Sequence, residues 1–285
     1  MNHINIVAKS KLCLFCNQYL ILPKFIDNDF FFYCFICNAF INWRKKTLLE
    51  KCKLSYMELE MLLILFLENK SPTQAFSSFN NPFFASSITK NTICKYFKLF
   101  GDIAFSFYQQ KLRSTFLSGE VEVDETVMFR IKKTRARRKR NCRLKSIWLL
   151  GMIERKEKKF IVVPITSRNE SNLIVSLLKY VDCESTIYTD CYSVYVNNRR
   201  FPKVSRLIDY GFNHQFIDHS VEFVSEQFTH IHTNTIERLW KSIKTDLRNK
   251  KITRGYLKAI GRYFFHKCLT KEQQITFIRD YINLC

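Results

Sequence analysis

Four acidic side chains lie close together in the segment GEVEVDET, residues 119–126, of a chain whose formal net charge is +21. The segment alternates as a half-buried strand does, with its valines on one face and Glu120, Glu122 and Asp124 on the other. Carboxylates are ligands of Mg²⁺, and two such ions about 3.5–4 Å apart need several carboxylates to offset their charge. Asp124 is therefore a candidate metal ligand, and its partners have to come from elsewhere in the chain.

Two further acids suit such a site. Asp190 ends STIYTD, residues 185–190, which predicts a short strand. Glu237 lies near the start of the segment 232–251, which predicts a helix because apolar residues recur at helical spacing, at Ile236, Trp240, Ile243 and Leu247. An acid within a strand, an acid at the end of a neighbouring strand and an acid on a packing helix can converge on one metal pair.

Each of these acids also has a purely structural interpretation. Asp124 could form an ion pair within a strand, and Asp190 could cap a following helix. Asn234 and Glu237 are spaced much as in a capping box. Glu122 and Glu125 could support Asp124 or could offset basic neighbours, and the sequence leaves this open.

The elements around these acids predict an α/β domain. The segments 146–155 and 158–167 are rich in β-branched and apolar residues and predict a hairpin, and 169–181 predicts an amphipathic helix. We expect another helix to begin within 191–198. Three consecutive strands, a helix, a fourth strand and further helices suit a meander extended by a parallel strand, which is the ribonuclease H-like arrangement.

Paired cysteines mark the N-terminal part of the chain. Cys13-Leu-Phe-Cys16 is followed, after a gap of 17 residues, by Cys34-Phe-Ile-Cys37. Two CxxC pairs at this separation predict a structural, tetrahedral Cys₄ zinc ribbon. The alternatives are a chance arrangement in a chain with 11 cysteines, or a redox pair.

Between the ribbon and the acidic strand the sequence predicts three helices, at 55–70, 71–79 and 86–100. The last has Ser, Thr, Lys and Asn on its early turns, which resembles a helix-turn-helix. An ordinary helical connector is the alternative.

Four segments together resemble the DDE transposase domain of ISXO-type bacterial insertion sequences and of the eukaryotic Merlin elements. They are VDET at 123–126, TDCYSVY at 189–195, DHSVEFV at 218–224 and HTNTIERLWKSIK at 232–244. The resemblance extends over roughly residues 118–250, and the ribbon and helices that precede it match the usual layout of that family.

The resemblance implies a role for each matched residue. Asp124, Asp190 and Glu237 would be the catalytic acids, holding Mg²⁺ or Mn²⁺, with Asn234 as a candidate additional ligand. Lys244 would contact the DNA end, and Lys241 and Arg248 lie on the same polar stripe of the helix. Glu122 and Trp240 would support the acids. The implied reaction is cleavage at the element end followed by attack of the freed 3′-OH on target DNA, by a homodimer or higher oligomer bound to double-stranded DNA.

The densest charge run, residues 130–145, lies between the first two predicted strands. A run of this density favours phosphate through counterion release, although a solvated basic loop is the alternative. It also resembles a nuclear-localisation signal. The predicted DNA contacts in it are Lys132, Lys133, Arg135, Arg137, Arg138, Lys139 and Arg140.

The histidines near the predicted helix allow two interpretations. His219 and His232 could orient the acids or the DNA through hydrogen bonds. Together with His230 they could instead form a second zinc site.

The sequence thus predicts four segments: a zinc ribbon at 1–46, a helical DNA-binding segment at 47–117, a ribonuclease H-like domain at 118–250 and a helical segment at 251–285. No apolar run has the length of a membrane span, and no signal peptide is present, so we expect a nuclear protein in a eukaryote or a cytoplasmic one otherwise. The alternatives to a transposase are a domesticated, non-catalytic DNA-binding protein that descends from one, and an RNA-binding protein with a zinc ribbon.

Overall fold

The computed structural model describes residues 6–80, 88–132, 144–197, 199, 202–217, 232–247 and 255–284, with residues 129–132 and 144–145 described by their backbone alone. The chain forms two compact units. The first comprises Met1–Tyr108 together with Ile260–Cys285, and the second comprises Gln109–Ala259.

The first unit begins with small antiparallel sheets around the paired cysteines. Strand β1 (Ser10–Leu12) pairs with β2 (Tyr19–Ile21), and β3 (Lys24–Ile26), β4 (Asp29–Cys34) and β5 (Ala39–Asn42) form a three-stranded sheet in that order. The predicted ribbon region is therefore built of short hairpins.

Three helices follow, as the sequence predicts: α1 (Tyr56–Leu67), α2 (Pro72–Phe79) and α3 (Lys90–Ser114). Ser55 and Ser71 each cap the following helix in a capping box. Helix α3 extends beyond residue 100, where the prediction ended, because buried residues continue at helical spacing through Ile103 and Phe107.

Two C-terminal helices follow, α6 (Tyr256–Cys268) and α7 (Lys271–Asn283). Their residues from 260 onward belong to the first unit. Phe265, Ile278 and Ile282 belong to the same buried core as Trp43 and Phe66. The amide of Leu48 also donates to the carbonyl of Ile282 over 3.1 Å. The two ends of the chain therefore share one core.

The second unit is a five-stranded mixed sheet with helices. Its strands are β6 (Glu120–Lys132), β7 (Leu144–Glu154), β8 (Phe160–Ile165), β9 (Thr186–Asp190) and β12 (Asn213–Ile217), in the order β12-β9-β6-β7-β8. The first three strands form an antiparallel meander, β9 is parallel to β6, and β12 is parallel to β9. This confirms the ribonuclease H-like fold class and adds β12, a fifth strand that the sequence did not indicate.

Helices flank this sheet. Helix α4 (Glu170–Tyr180) agrees with the helix predicted at 169–181 and is capped by Asn169, and α5 (Asn234–Leu247) contacts β6 and β7. The buried residues of α5 include the predicted apolar stripe, so this stripe faces the sheet.

The prediction of a helix within residues 191–198 is wrong. The amides of Tyr195 and Val196 both donate to the carbonyl of Tyr192, which forms a turn, and the chain continues into β10 (Val196–Asn197). Strand β10 pairs with β11 (Val204–Ser205), and a 3₁₀ helix follows at Leu207–Tyr210. Aromatic and β-branched residues favour this extended course, in which Tyr195 is fully buried.

In the part of the chain that the structure describes, no helix combines the length and the apolar character needed to cross a bilayer.

Candidate functional site

The strand register brings two of the predicted acids together. Strand β6 pairs in parallel with β9, and the last matched residues are Glu122 and Tyr188. Two residues further along each strand are Asp124 and Asp190. The two aspartates therefore lie on neighbouring strands, just beyond the end of the paired part of the ladder.

Asp124 is held by helix α5. The indole Nε1 of Trp240 donates to its Oδ2 over 2.9 Å. Opposite Asp124 on strand β7 lies Gly151, and a Cβ atom there would come within 2.5 Å of the Trp240 ring. The absence of a side chain at Gly151 therefore lets the indole approach the sheet closely enough to reach the aspartate.

The pKa of Asp124 reflects its surroundings. Burial raises this pKa above the ordinary value of an aspartate, and the nearby charges of Asp190 and Glu237 raise it further. Asp190 and Glu237 therefore each act electrostatically on Asp124. A bound cation would relieve this repulsion, which is the physical reason why such acids suit a metal.

Glu237 lies on the exposed side of α5, in its first turn. Lys241 and Lys244 follow it at spacings that keep them on the same side of the helix, and both are exposed. Among the described residues, the only group of three or more His, Cys, Asp or Glu side chains with ligand atoms all within 4.8 Å of one another is the cysteine cluster. Asp124, Asp190 and Glu237 are thus in one region, but their carboxylate oxygens do not all lie within 4.8 Å of one another.

Glu122, whose role the sequence left open, joins the acidic strand to α5. Its side chain is fully buried, and its Oε2 accepts hydrogen bonds from the amides of Thr235 and Ile236 over 2.8 and 2.9 Å. These are amides of the first turn of the helix, which an N-cap side chain would otherwise satisfy. A strand carboxylate, and not Asn234, therefore caps the helix that carries Glu237.

Arg155, at the end of β7, completes this contact. Its Nε donates to Glu122 Oε1 over 2.8 Å, and its guanidinium lies 3.7 Å from the centroid of the Tyr188 ring. Arg155 also donates a hydrogen bond to the backbone carbonyl of His232. The ring Nδ1 of the same histidine lies 3.3 Å from Glu122 Oε1. His232 thus contacts the buried Glu122, consistent with an orienting role. Sequence reasoning missed Arg155, since a single arginine after an apolar strand gives no signal.

Glu125 belongs to a second network on the other face of β6. Its Oε2 lies 2.8 Å from Nη2 of Arg168, and Tyr195 donates a hydrogen bond to its Oε1. Arg168 stacks 3.9 Å over the ring of Tyr192, and the amide of Tyr192 donates to Asp190 Oδ1 over 3.0 Å. Asp190 is therefore oriented by a turn that Arg168 holds in place. Burial raises the pKa of Glu125, despite these partners.

A buried histidine supports the strand that ends in Asp190. His214 lies between two hydroxyl groups, Thr189 at 2.9 Å and Ser205 at 2.8 Å. Burial lowers its pKa to about 4, so this side chain is neutral at physiological pH. It links β9, β11 and β12 without adding charge near Asp190.

The four N-terminal cysteines form a compact cluster. The Sγ atoms of Cys13 and Cys37 are 3.8 Å apart, and those of Cys16 and Cys34 are 3.6 Å apart. Tetrahedral coordination with Zn–S bonds of about 2.3 Å requires S–S separations of about 3.8 Å. The donor set and its spacing therefore fit Zn²⁺.

Backbone groups favour the ionised form of one thiol in this cluster. Burial acts to raise the pKa of Cys13, but hydrogen bonds from the backbone of Cys16 and Phe15 lower it to about 6. The pKa of Cys37 is raised to about 12, first by the adjacent Cys16 and then by burial. Four sulfurs this close cannot all ionise unless a cation offsets their charge, which again fits a metal.

Several predicted residues lie outside the described part of the chain. They are His219, His230, Arg248 and the loop residues Lys133, Arg135, Arg137, Arg138, Lys139 and Arg140, and Lys132 is described by its backbone alone. Their assignments remain predictions from the sequence.

The comparison with protein families agrees with the ribonuclease H-like fold of the second unit. A family model described as the ISXO2-like transposase domain matches residues 116–260, which is half of the chain. The ribonuclease H-like unit is thus a transposase-type domain. The protein belongs to the ISXO2-like transposase family, and the resemblance seen in the sequence is confirmed.

Comparison with solved structures gives distant likenesses. The catalytic core domain of BIV integrase matches at 9% identity and a TM-score of 0.33, covering 54% of this chain and 86% of that one. A chain of the simian T-cell lymphotropic virus intasome, solved with the PP2A regulatory subunit B56 gamma, matches at 12% identity and a TM-score of 0.35, covering 75% of this chain and 71% of that one. TM-scores of this size are too low to bear on function. No curated protein matches the chain.

Proposed function

We propose that this protein is a metal-dependent DNA transposase of the cut-and-paste type, with Asp124, Asp190 and Glu237 as its catalytic acids. Membership of the ISXO2-like family supports transposition as the overall activity. The observation that supports the assignment of the acids is the pairing of β6 with β9, which carry Asp124 and Asp190, together with the raised pKa of Asp124 to which Asp190 and Glu237 contribute.

The donor set suits hard divalent cations, since carboxylate oxygens are the ligands that Mg²⁺ and Mn²⁺ prefer. When bound at such a site, the ions supply Lewis-acid stabilisation and activation of an attacking oxygen. The chain's own contribution is to hold three carboxylates in place. Trp240 fixes Asp124, the Tyr192 amide orients Asp190, and Glu122 fixes the helix that carries Glu237.

The DNA substrate is proposed from charge. Lys241 and Lys244 are exposed on the side of α5 that carries Glu237, and the basic run at 130–145 adds many cations to the connection between β6 and β7. Phosphate contacts of this kind position a duplex near the acids without reading its sequence.

We assign Zn²⁺ to the cysteine cluster as a structural ion. Four thiolates leave no open coordination position, so the ion would hold the ribbon and take no part in the reaction. Metal analysis of the purified protein should give about one zinc per chain. The value should fall to near zero for Cys34→Ser and stay unchanged for Cys183→Ser, because Cys183 is exposed and lies outside the cluster.

The experiment that tests the catalytic assignment is a nicking assay on a plasmid that carries the gene's own flanking DNA, with Mg²⁺ or Mn²⁺. The variants are Asp124→Asn, Asp190→Asn and Glu237→Gln, which keep the size of each side chain and remove its charge. Asp209→Asn is the matched control, because Asp209 is exposed on the 3₁₀ helix of the same unit.

Metal-dependent nicks at fixed flanking positions that each of the three variants abolishes and the control retains would support the proposal. Tight binding to the same DNA without nicks, unchanged by any of these substitutions, would mean that the acids are structural and that the protein is a DNA binder. Preferential binding of RNA over duplex DNA at matched salt would reject the DNA substrate.

A further inference from the structure

In the described part of the sheet, the strand end that carries Asp190 is paired on one side only. Strand β9 pairs with β6 from Thr186 to Tyr188, and this ladder stops two residues before Asp190. On its other side β9 pairs with β12 along its whole length, as far as the match of Asp190 with Ile217. The position of Asp190 therefore depends on β12, an edge strand of the sheet.

A chain of hydrogen bonds leads from this end of β9 into β12 and β11. The hydroxyl of Thr189 donates to the carbonyl of Asp190 over 2.6 Å and lies 2.9 Å from Nε2 of His214. Nδ1 of His214 lies 2.8 Å from the hydroxyl of Ser205, which accepts from the amide of Leu207 over 3.1 Å. Thr189 is fully buried and Ser205 is buried, so these bonds are costly to leave unmade.

The chemistry of these groups fixes the direction of every bond in the chain. A carbonyl only accepts, so the single hydroxyl proton of Thr189 is directed to Asp190 and Thr189 has to accept from His214. Nε2 of His214 therefore carries the ring proton, and Nδ1 accepts from the hydroxyl of Ser205. Burial lowers the pKa of His214 to about 4, so the neutral ring that this chain requires is the form present at physiological pH.

We propose that His214 is a positioning residue for Asp190 and acts on it through Thr189. The ring holds the hydroxyl of Thr189, and this hydroxyl fixes the backbone carbonyl of Asp190. The Tyr192 amide fixes the carboxylate of the same aspartate, at Oδ1 over 3.0 Å. Metal ligands have to be held within about 0.5 Å of their productive geometry, so loosening this strand end weakens metal binding. The inference rests on the proposed function, in which Asp190 is a metal ligand.

The alternative is that His214 only ties three strands together. Its loss would then lower stability and leave metal binding unchanged in molecules that remain folded. Replacements that keep one of its two bonds separate these roles. The side-chain amide of glutamine reaches the position of Nε2 and can donate to Thr189, whereas the shorter asparagine reaches only the position of Nδ1, beside Ser205.

The test is Mn²⁺ binding by the full, zinc-loaded chain without DNA, measured by electron paramagnetic resonance of the free ion. His214→Asn and Thr189→Val should each weaken binding by about tenfold or more, which is the usual effect of losing a group that orients a metal ligand. His214→Gln and Thr189→Ser keep the bond between the two side chains and should bind Mn²⁺ nearly as the wild type does.

Two further readouts report on the bond itself. The double variant Thr189→Val/His214→Asn should bind Mn²⁺ no more weakly than the weaker of its two parents, because both changes break the same bond. In nitrogen NMR of the histidine-labelled chain, the signals that disappear in His214→Asn should be those of a neutral ring protonated at Nε2. Thr189→Val should shift the same signals.

The matched control is Thr47→Val, in the first unit. Thr47 is also a buried threonine whose hydroxyl donates to a backbone carbonyl, that of Arg44 over 2.7 Å. This variant should leave both the Mn²⁺ affinity and the His214 signals unchanged. Urea denaturation of every variant shows that it is folded under the conditions of the binding measurement.

Unchanged Mn²⁺ affinity in His214→Asn and Thr189→Val, equal weakening by His214→Asn and His214→Gln, or a ring protonated at Nδ1 would each overturn the proposal. Asp190→Asn separates this inference from the proposed function. If that variant binds Mn²⁺ as the wild type does, or if the wild type binds none, the metal site itself is wrong. If Asp190→Asn loses binding while His214→Asn retains it, only the positioning role is wrong.

Discussion

At the scale of single residues, the central feature of the site is a glutamate that does not belong to the proposed triad. Glu122 is fully buried, caps α5 and pairs with Arg155. Its two carboxylate oxygens are shared between the helix amides and the guanidinium. It therefore fixes the distance between the strand of Asp124 and the helix of Glu237.

Replacing Glu122 by Gln should lower the free energy of unfolding by about 3 kcal/mol or more, because the change removes the charge of the fully buried carboxylate that pairs with Arg155 at 2.8 Å. Urea denaturation measures this. Glu120→Gln is the control, because Glu120 also lies near Arg155, at 3.9 Å, but its side chain is 56% exposed. The control should cost less than about 1 kcal/mol. A similar cost for both variants would show that the buried pair has no special role.

Asp124 should make stability depend on pH in a direction unusual for an acid. Burial and the charges of Asp190 and Glu237 raise its folded pKa, so in the pH range just above the unfolded pKa the folded chain binds more protons than the unfolded one. Its contribution to stability therefore falls as pH rises through that range. We expect Asp124→Asn to be more stable than the wild type at neutral pH and the gain to disappear below about pH 3.9.

Urea denaturation at a series of pH values checks this, in the absence of divalent ions. Asp209→Asn serves again as control and should show no gain. A variant that is less stable than the wild type at neutral pH would mean that the carboxylate of Asp124 stabilises the fold, contrary to the expectation.

The sequence indicated the candidate acids and two of their supports, Glu122 and Trp240, but not the arginines that complete the site. Residue type, the periodicity of the apolar residues and the family resemblance pointed to Asp124, Asp190 and Glu237. Arg155 and Arg168 were not indicated, because their roles arise from contacts over 33 and 43 residues of separation. A local pattern contains no information about which buried carboxylate a distant arginine reaches.

At the scale of elements, the docking of α5 against the sheet decides whether Glu237 can join the aspartates. The contact depends on Gly151, above which the Trp240 ring lies. A Cβ atom at this position would meet Trp240 at 2.5 and 2.8 Å and Ile236 at 3.1 Å, so the helix would have to move outward.

Gly151→Ala should therefore cost about 1–3 kcal/mol of stability and lower nicking more than it lowers DNA binding. The reason is that the displaced indole loses its hydrogen bond to Asp124. Denaturation, nicking and DNA binding are measured on the same preparation. Gly101→Ala is the control: it lies within α3 with nothing within 4 Å of the added atom, and it should raise stability by up to about 1 kcal/mol. Nicking at the wild-type rate in Gly151→Ala would contradict the role given to this contact.

The strands and helices with strong periodicity were predictable, and the short connecting elements were not. The hairpin, α4 and α5 follow from local pattern. The segment 191–198 and the fifth strand did not, because β10, β11 and β12 are short and depend on pairing with distant residues. Tertiary contacts overrode local preference there.

At the scale of the whole molecule, the charge of +21 predicts DNA binding that weakens as salt rises. Replacing Arg137, Arg138 and Arg140 by Gln should reduce the slope of log Kobs against log salt by about 3 if all three contact phosphates. The control replaces Lys156, Lys158 and Lys159, which are exposed at the opposite end of β7, and it lowers the net charge equally. Equal flattening by both sets would show a general effect of charge and reject the assignment of the basic run.

The first unit is built from both ends of the chain, since Ile6, Phe66 and Ile282 share one core and the Nδ2 of Asn283 donates to the carbonyl of Ile6 over 3.3 Å. During translation, the ribbon and α1–α3 leave the ribosome well before the segment that completes their core. A gene copy that has lost the codons for α6 and α7 should therefore yield a chain with its aromatic core exposed, which makes it a target for proteolysis. We therefore expect such truncated copies to yield no stable DNA-binding fragment.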